Sequence, residues 1–585
     1  MPACYINPAS EMVADFIYRP TGSFLRNNKL SSRVLCWDSA SREYDIVYFP
    51  LDNIPPLSLD NYEYYSIPKL YTLLDTSSME AAGILPLFQQ PTLNNQGEGV
   101  LIGLIDTGID YKNPLFQNLD GTTRIVGIWD QTLPASPDAI PPGATDPNGN
   151  PIGIQYGTSF NSVQINEALR SDHPLDIVPS TDIDGHGTFM AGIAAGSSSP
   201  TGDFIGAAPK ASIGMVKLKP AKKYLRDFFL IQDDANAYQE NDIMMGIKYL
   251  YSLSDELHMP LVLCISLGTN SGSHEGTSPL GYMLQDSGQY IGRCHVIAGG
   301  NETGLSHHYF GSLPAGQNSE DVEIRVAEGE KGFIAEFWSD VTDLYTVGLI
   351  SPSGETVSRI PLTLGRENRI SFLLEATVIT VSYIPTESGS GRQLIFFRFE
   401  HPGAGVWRIR VYNSLYLNGR YHIWLPVEGF CMKDTVFLRP DPDTTITNPG
   451  NTRFPITIGA YNHVDGSIYL HSSRGFTVND QIKPDLAAPG VNVYGPTVSP
   501  VPVNREVMPM TRKNGSSISA AHTAGAVANL MSWGLVQGND MSMSDASIRG
   551  YLIRGAGRTP GYEYPNKEFG YGTLNLYQSF LDLRE

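Results

Sequence analysis

The period of the apolar residues changes twice along this chain, and that change constrains its fold more than any other feature. From about residue 66 to 310, short apolar runs at 100–105, 126–129, 213–216, 261–266 and 295–298 alternate with helical patterns at 187–195 and 242–253. This is the pattern of βαβ units and predicts a parallel sheet. From 311 to 450 the period drops to two in aromatic-rich runs at 333–338, 345–350, 377–384, 393–399, 406–412 and 421–425, with turn-forming stretches such as 351–354 and 401–405 between them. Those runs predict an antiparallel sandwich of the jelly-roll type. After 451 the first texture returns, with a strand at 455–460 and a long small-residue helix over 517–533. One α/β domain is thus interrupted by a β domain.

Residues 1–65 differ from both, with a strand at 44–49 followed by a Pro-rich stretch at 53–59, and read as a small α+β leading module with a linker. The expected organisation is therefore 1–65, 66–310, 311–450 and 451–585, which 585 residues can supply. A net charge of −20 with no basic run disfavours nucleic acid as a partner. The longest apolar runs, such as 261–267, fall far short of the roughly twenty residues that cross a bilayer, so no membrane partner is expected. Glu11 and Asp15 stand where a Sec signal peptide needs a positive patch and an apolar stretch, which predicts synthesis in the cytoplasm without Sec export. Five widely spaced cysteines (Cys4, Cys36, Cys264, Cys294, Cys431) fit reduced core thiols better than a disulfide framework or a zinc site.

Three short motifs carry the chemistry. Leu104-Ile105-Asp106-Thr107-Gly108 places an acid at the end of an apolar strand, Asp184-Gly185-His186-Gly187-Thr188 places a histidine between glycines at a helix start, and Gly515-Ser516-Ser517-Ile518-Ser519 is a serine-rich turn entering a helix. Taken singly they read as a turn residue, a surface histidine and a helix cap. Taken together they supply what a nucleophilic serine needs: a base within reach, and a carboxylate to fix the tautomer of that base. Chymotrypsin-like enzymes run His, Asp, Ser and α/β-hydrolases run Ser, Asp, His, so the order Asp, His, Ser excludes both.

The sequence resembles the subtilisin-like serine proteases (subtilases, the S8 family) over about 70–310 and 450–580. That resemblance implies a subtilisin-like parallel-sheet catalytic domain and makes Asp106, His186 and Ser517 the triad. Ala298-Gly299-Gly300-Asn301-Glu302 resembles the family's oxyanion-hole segment, which makes Asn301 a side-chain donor beside the Ser517 N–H. Ser266-Leu267-Gly268 resembles the edge strand on which the family binds extended peptides. The segments 483–485 and 488–490 also match a stretch near the family's active site, read as structural. Ser516, Ala521 and Phe189 stand where the family usually has Thr, Pro and His, which predicts altered loop rigidity or specificity rather than lost catalysis.

His186 and Ser517 lie about 170 residues further apart than their counterparts in compact subtilisin, a surplus the β insert accounts for. An insert of this kind with a short leader is most similar to the clostridial germination-specific Csp proteases. There, the resemblance implies, the substrate is the zymogen of a cortex-lytic enzyme packaged in spores, and the prodomain can stay bound as a cleft inhibitor after cleavage. By the same analogy the prodomain ends near Tyr65, with self-cleavage there, while the alternative is a permanent N-terminal subdomain. The expected activity is endopeptidase action on protein or peptide substrates, rising with pH as His186 loses its proton.

No redox or organic cofactor is required. Residues 146–150 begin like a calcium loop, but Pro151 occupies the glycine position and no Glu follows at the right offset, so the stretch reads as a turn and no metal ligand is assigned. Structural calcium is common in the family, without an identifiable site here. Two other readings compete. A catalytically silent Csp-like pseudoprotease would use the fold for binding or signalling, and a glycan-binding insert would use Trp338, Trp407 and Trp424, which read better as core.

Overall fold

A computed structural model describes residues 7–19, 36–41, 43–73, 79–88, 90, 95–135, 144–145, 151–152, 154–199, 203–314, 316–363, 365–415, 417–498 and 508–583. At its centre lies an eight-stranded sheet, whose strands are β1 (Leu101–Asp106), β2 (Ile125–Asp130), β3 (Thr158–Asn161), β4 (Ser212–Lys217), β5 (Leu261–Ile265), β6 (Arg293–Ala298), β7 (Ile456–Tyr461) and β8 (Leu486–Pro489). Their spatial order is β8-β7-β6-β5-β1-β4-β2-β3, parallel throughout except for β3. The strands read as apolar runs because both faces are covered. Ile102 and Leu104 pack with α1 (His186–Ala195) and α3 (Ser516–Met531), whereas Leu101 and Ile105 pack with α2 (Glu240–Leu257). All sixteen residues of α3 are buried, and its run of Ala, Ser and Gly lets it lie close against the sheet. No helix among the described residues is long and apolar enough to cross a membrane.

Between β6 and β7 the chain leaves the sheet and builds a two-layered antiparallel sandwich. One layer has six strands, ordered His308–Ser312, Arg420–Trp424, Gly332–Ser339, Leu394–Glu400, Thr377–Ile384, Asn368–Phe372. The other has five, ordered Thr356–Val357, Leu344–Ile350, Gly405–Leu415, Ser319–Val326, Val436–Phe437. Period-two residues from both layers meet in one core that includes Phe337, Phe397, Trp407 and Tyr421. Trp338, Trp407 and Trp424 are all at most 2% exposed, so they pack and present no ring to a glycan.

The N-terminal module is a three-stranded antiparallel sheet ordered Val13–Tyr18, Asp45–Pro50, Cys36–Ser39. Two buried polar contacts lock it to the rest of the chain. Lys222 Nζ, just before the helix Lys223–Phe229, donates to Asp15 Oδ1 at 2.6 Å and to the carbonyls of Pro8 and Val13 at 2.6 and 2.8 Å. Tyr64 donates to Glu336 of the sandwich at 2.7 Å, with its ring edge-on to Trp338. Both side chains of the Lys222–Asp15 pair are 1% exposed. Lys222→Met would leave the Asp15 carboxylate buried without its cation, so we expect a loss of about 3–5 kcal/mol in thermal or denaturant unfolding, with earlier release of the module. An unchanged midpoint would show that the pair does not hold the module.

Beyond the module, Leu70–Leu73 is a strand held between Tyr238–Gln239 and Leu267–Gly268, antiparallel to both. The cysteines divide. Cys264, Cys294 and Cys431 are free and buried, whereas Cys36 is disulfide-bonded, which corrects the expectation of reduced thiols at that position. The calcium-like stretch 146–150 lies outside the described residues.

Candidate active site

Three local structures deliver the reactive groups to the carboxyl edge of the sheet, where open α/β folds place their sites. Asp106 is the last residue of β1, His186 opens α1, and Ser517 lies in the first turn of α3. The glycines beside His186 have a steric purpose. Gly185 has φ +83°, and a Cβ on Gly187 would sit 2.1 Å from the carbonyl oxygen of Gly108, so only glycine lets α1 start this close to the end of β1.

His186 Nδ1 lies 2.8 and 3.0 Å from the two oxygens of Asp106. Nδ1–H donates to the carboxylate, which leaves the Nε2 lone pair as the base. Asp106 Oδ1 also accepts from the Thr107 N–H at 2.7 Å, and Oδ2 from Ser266 Oγ at 2.6 Å. Burial would raise the pKa of Asp106, but His186 and these donors outweigh it and hold the carboxyl below its ordinary value. Asp106 is therefore an anion wherever His186 acts as base.

Ser517 Oγ donates to the Ser266 carbonyl at 3.4 Å. That contact is long and weak, so it holds the hydroxyl loosely. The N–H of Ser517 is one of the four at the start of α3 without an intrahelical partner. Asn301 lies against the same turn. Its Oδ1 accepts from the Ser516 N–H at 3.0 Å, and the Gly300 N–H donates to Ser516 Oγ at 3.1 Å. The segment predicted to supply the side-chain oxyanion donor is thus bound to the residue next to Ser517. Asn301→Ala should lower kcat by about 10²–10³-fold with KM little changed, read in steady-state peptide hydrolysis. A wild-type kcat would remove Asn301 from the oxyanion site.

Of the residues expected from the sequence to bind substrate, Leu267 and Gly268 pair with Leu73 and Thr72 of the chain's own strand, while the side chain of Ser266 donates to Asp106. Tyr65 lies in the 3-10 turn Tyr64–Ser66, whose Tyr64 donates to Glu336, and the strand that pairs with Leu267–Gly268 begins five residues later. Two supporting residues escaped the sequence reading. Asp182 accepts from the N–H groups of Gly185 and Thr188, from Thr188 Oγ1 and from Thr107 Oγ1 at 2.7–2.9 Å, and Thr107 Oγ1 accepts from the Gly187 N–H at 2.9 Å. Among the described residues no cluster of three or more His, Cys, Asp or Glu side chains could hold a metal ion.

An aspartate, a histidine and a serine in this order and geometry, on a parallel sheet, define a subtilisin-type site. Comparison with known proteins agrees: the subtilase family profile matches residues 97–343 and 438–572, and the chain belongs to that family. The gap between the two matched stretches falls within the sandwich. The structure of the CspB protease of Clostridium perfringens is similar over 86% of this chain and 98% of that one, with a TM-score of 0.73 and 31% identity. Two Arabidopsis thaliana proteins, subtilisin-like proteases SBT3.6 and SBT3.3, are 29% and 31% identical over 211 and 157 residues, 34% and 25% of this chain. The chain spans only 25% and 20% of those plant proteins.

Proposed function

We propose that this chain is a serine endopeptidase that cleaves its own N-terminal module and then acts on a protein substrate by limited proteolysis. Ser517 attacks the peptide carbonyl, His186 takes the proton and returns it to the leaving amine, Asp106 holds the tautomer, and Asn301 with the Ser517 N–H stabilises the tetrahedral oxyanion. The observation that carries this reading is the chain's own strand Leu70–Leu73, antiparallel on Leu267–Gly268 next to Ser266, whose carbonyl touches Ser517. An extended peptide laid on that edge presents its backbone to the nucleophile as a substrate does.

The site of self-cleavage accordingly moves from Tyr65 to the segment between Leu73 and Met79. The module acts as a prodomain, and the Lys222–Asp15 and Tyr64–Glu336 contacts support its staying docked as a cleft inhibitor after the bond is cut. The similarity to CspB, with the sandwich read as a jelly-roll insert, supports a zymogen as the substrate, as in the Csp group. Intact mass and N-terminal sequencing of the purified protein test the reading. The expected result is two fragments that co-purify, the larger beginning between residues 74 and 79. An undivided chain in every molecule of an active preparation would overturn self-processing.

A further inference from the structure

Asn301 is followed by Glu302, a carboxylate 4% exposed yet surrounded by donors. Its Oε2 accepts from His307 Nδ1 at 2.7 Å and from Asn270 Nδ2 at 2.8 Å, and its Oε1 accepts from the Glu428 N–H at 3.0 Å. The Glu302 N–H donates to Ser473 Oγ at 3.0 Å. Burial would push the carboxyl up, but His307 and the other donors hold it below its ordinary value.

The partners come from three places in the fold. His307 lies at the entry to the sandwich, immediately before its strand His308–Ser312. Glu428 lies in the loop between the sandwich strands Arg420–Trp424 and Val436–Phe437, and Asn270 reaches the start of that loop, donating to the Leu425 carbonyl at 3.2 Å while the Leu425 N–H donates to the His307 carbonyl at 2.8 Å. Asn270 also stands two residues beyond Leu267–Gly268, and its carbonyl accepts from His274, whose ring stacks on Trp424 of the sandwich at 3.9 Å. The oxyanion residue, the peptide-binding edge, the entry to the insert and the loop before its last strand therefore meet at one side chain.

We propose that Glu302 is a positioning residue through which the inserted sandwich sets the placement of Asn301. The insert is then part of the catalytic apparatus, and a load on its entry or on the loop that holds Glu428 alters the rate of acylation. This rests on the serine-peptidase reading above.

The test is the second-order rate at which a fluorophosphonate labels Ser517 in the self-processed protein, measured for wild type, Glu302→Gln, Asn301→Ala and the double variant. Glutamine keeps the shape but turns an N–H₂ toward at least one of the three donors. Glu302→Gln should slow labelling by about 10–100-fold, the scale of a sub-ångström to ångström displacement in an active site. Peptide hydrolysis should show the loss in kcat rather than KM. If Glu302 acts through Asn301, the double variant labels no more slowly than Asn301→Ala alone. Losses that multiply, or a wild-type labelling rate in Glu302→Gln whatever its melting temperature, overturn the proposal. If Glu302→Gln does not fold, His307→Gln, which weakens one donor, is read by the same criterion. A wild type that stays whole and whose Ser517 is never labelled overturns the peptidase reading as well; labelling with multiplicative losses overturns this proposal alone.

Discussion

Ser517→Ala should reduce kcat by about 10⁶-fold, the size of the loss on removing the nucleophile of subtilisin, and should leave the N-terminal module covalently attached. No neighbouring group can take over. Cys264, on the adjacent strand β5, is fully buried, and burial pushes its thiol far above the range in which a thiolate forms. The hydroxyl of Ser516 is already engaged with the Gly300 N–H. What survives is the oxyanion donors and the peptide-binding edge, which bind substrate without a nucleophile. Initial rates on a peptide substrate and the intact mass of the variant read the two effects separately. Measurable loss of the module from Ser517→Ala would mean that the cut is made by another protein.

Asp106→Asn should be the next most damaging change, at about 10⁴-fold in kcat with KM and fold retained. Asp106 accepts from His186 Nδ1, Ser266 Oγ and the Thr107 N–H. An amide at this position must turn its N–H₂ toward one of these donors. Facing His186, it favours the tautomer with the proton on Nε2, which has no lone pair left for the serine proton. The charge has a second consequence. Because Asp106 is depressed below its ordinary value, it stabilises the fold at every pH above that value, and this contribution is lost only as the pH falls through its lowered value. The rise of activity with pH expected of a histidine base therefore reports His186 alone. Steady-state kinetics across pH, with circular dichroism to confirm folding, checks both points. Asp106→Asn activity within tenfold of wild type would contradict the role given to the carboxylate.

The parts of the fold legible in the sequence were those written in local period. The apolar runs that became β1, β2, β4, β5, β6 and β7, and the alternating runs around Phe337 and Phe397, carry their signal within a few residues. Asp106, His186 and Ser517 were legible for a related reason, since each sits in a short motif at an element boundary. What was not legible depends on pairings across long stretches of chain. Leu70–Leu73 is four residues beside a polar stretch, and its partners Tyr238–Gln239 and Leu267–Gly268 lie far away in sequence, so no local period marks it. The buried pair Lys222–Asp15 runs against the expectation that charges face water, and only the fold shows that each neutralises the other. Glu302 likewise reads as a loop acid until its donors come together from His307, Asn270 and Glu428, which are far apart in sequence.

The most direct test of the account is the site of covalent modification by a fluorophosphonate in the native protein, located by peptide mass mapping and compared with Ser517→Ala and Asp106→Asn. The account predicts a single adduct on the peptide that contains Ser517, absent from Ser517→Ala and formed far more slowly in Asp106→Asn, in a chain already divided between Leu73 and Met79. A wild-type chain that stays whole and takes up no label, with its fold intact, would contradict it.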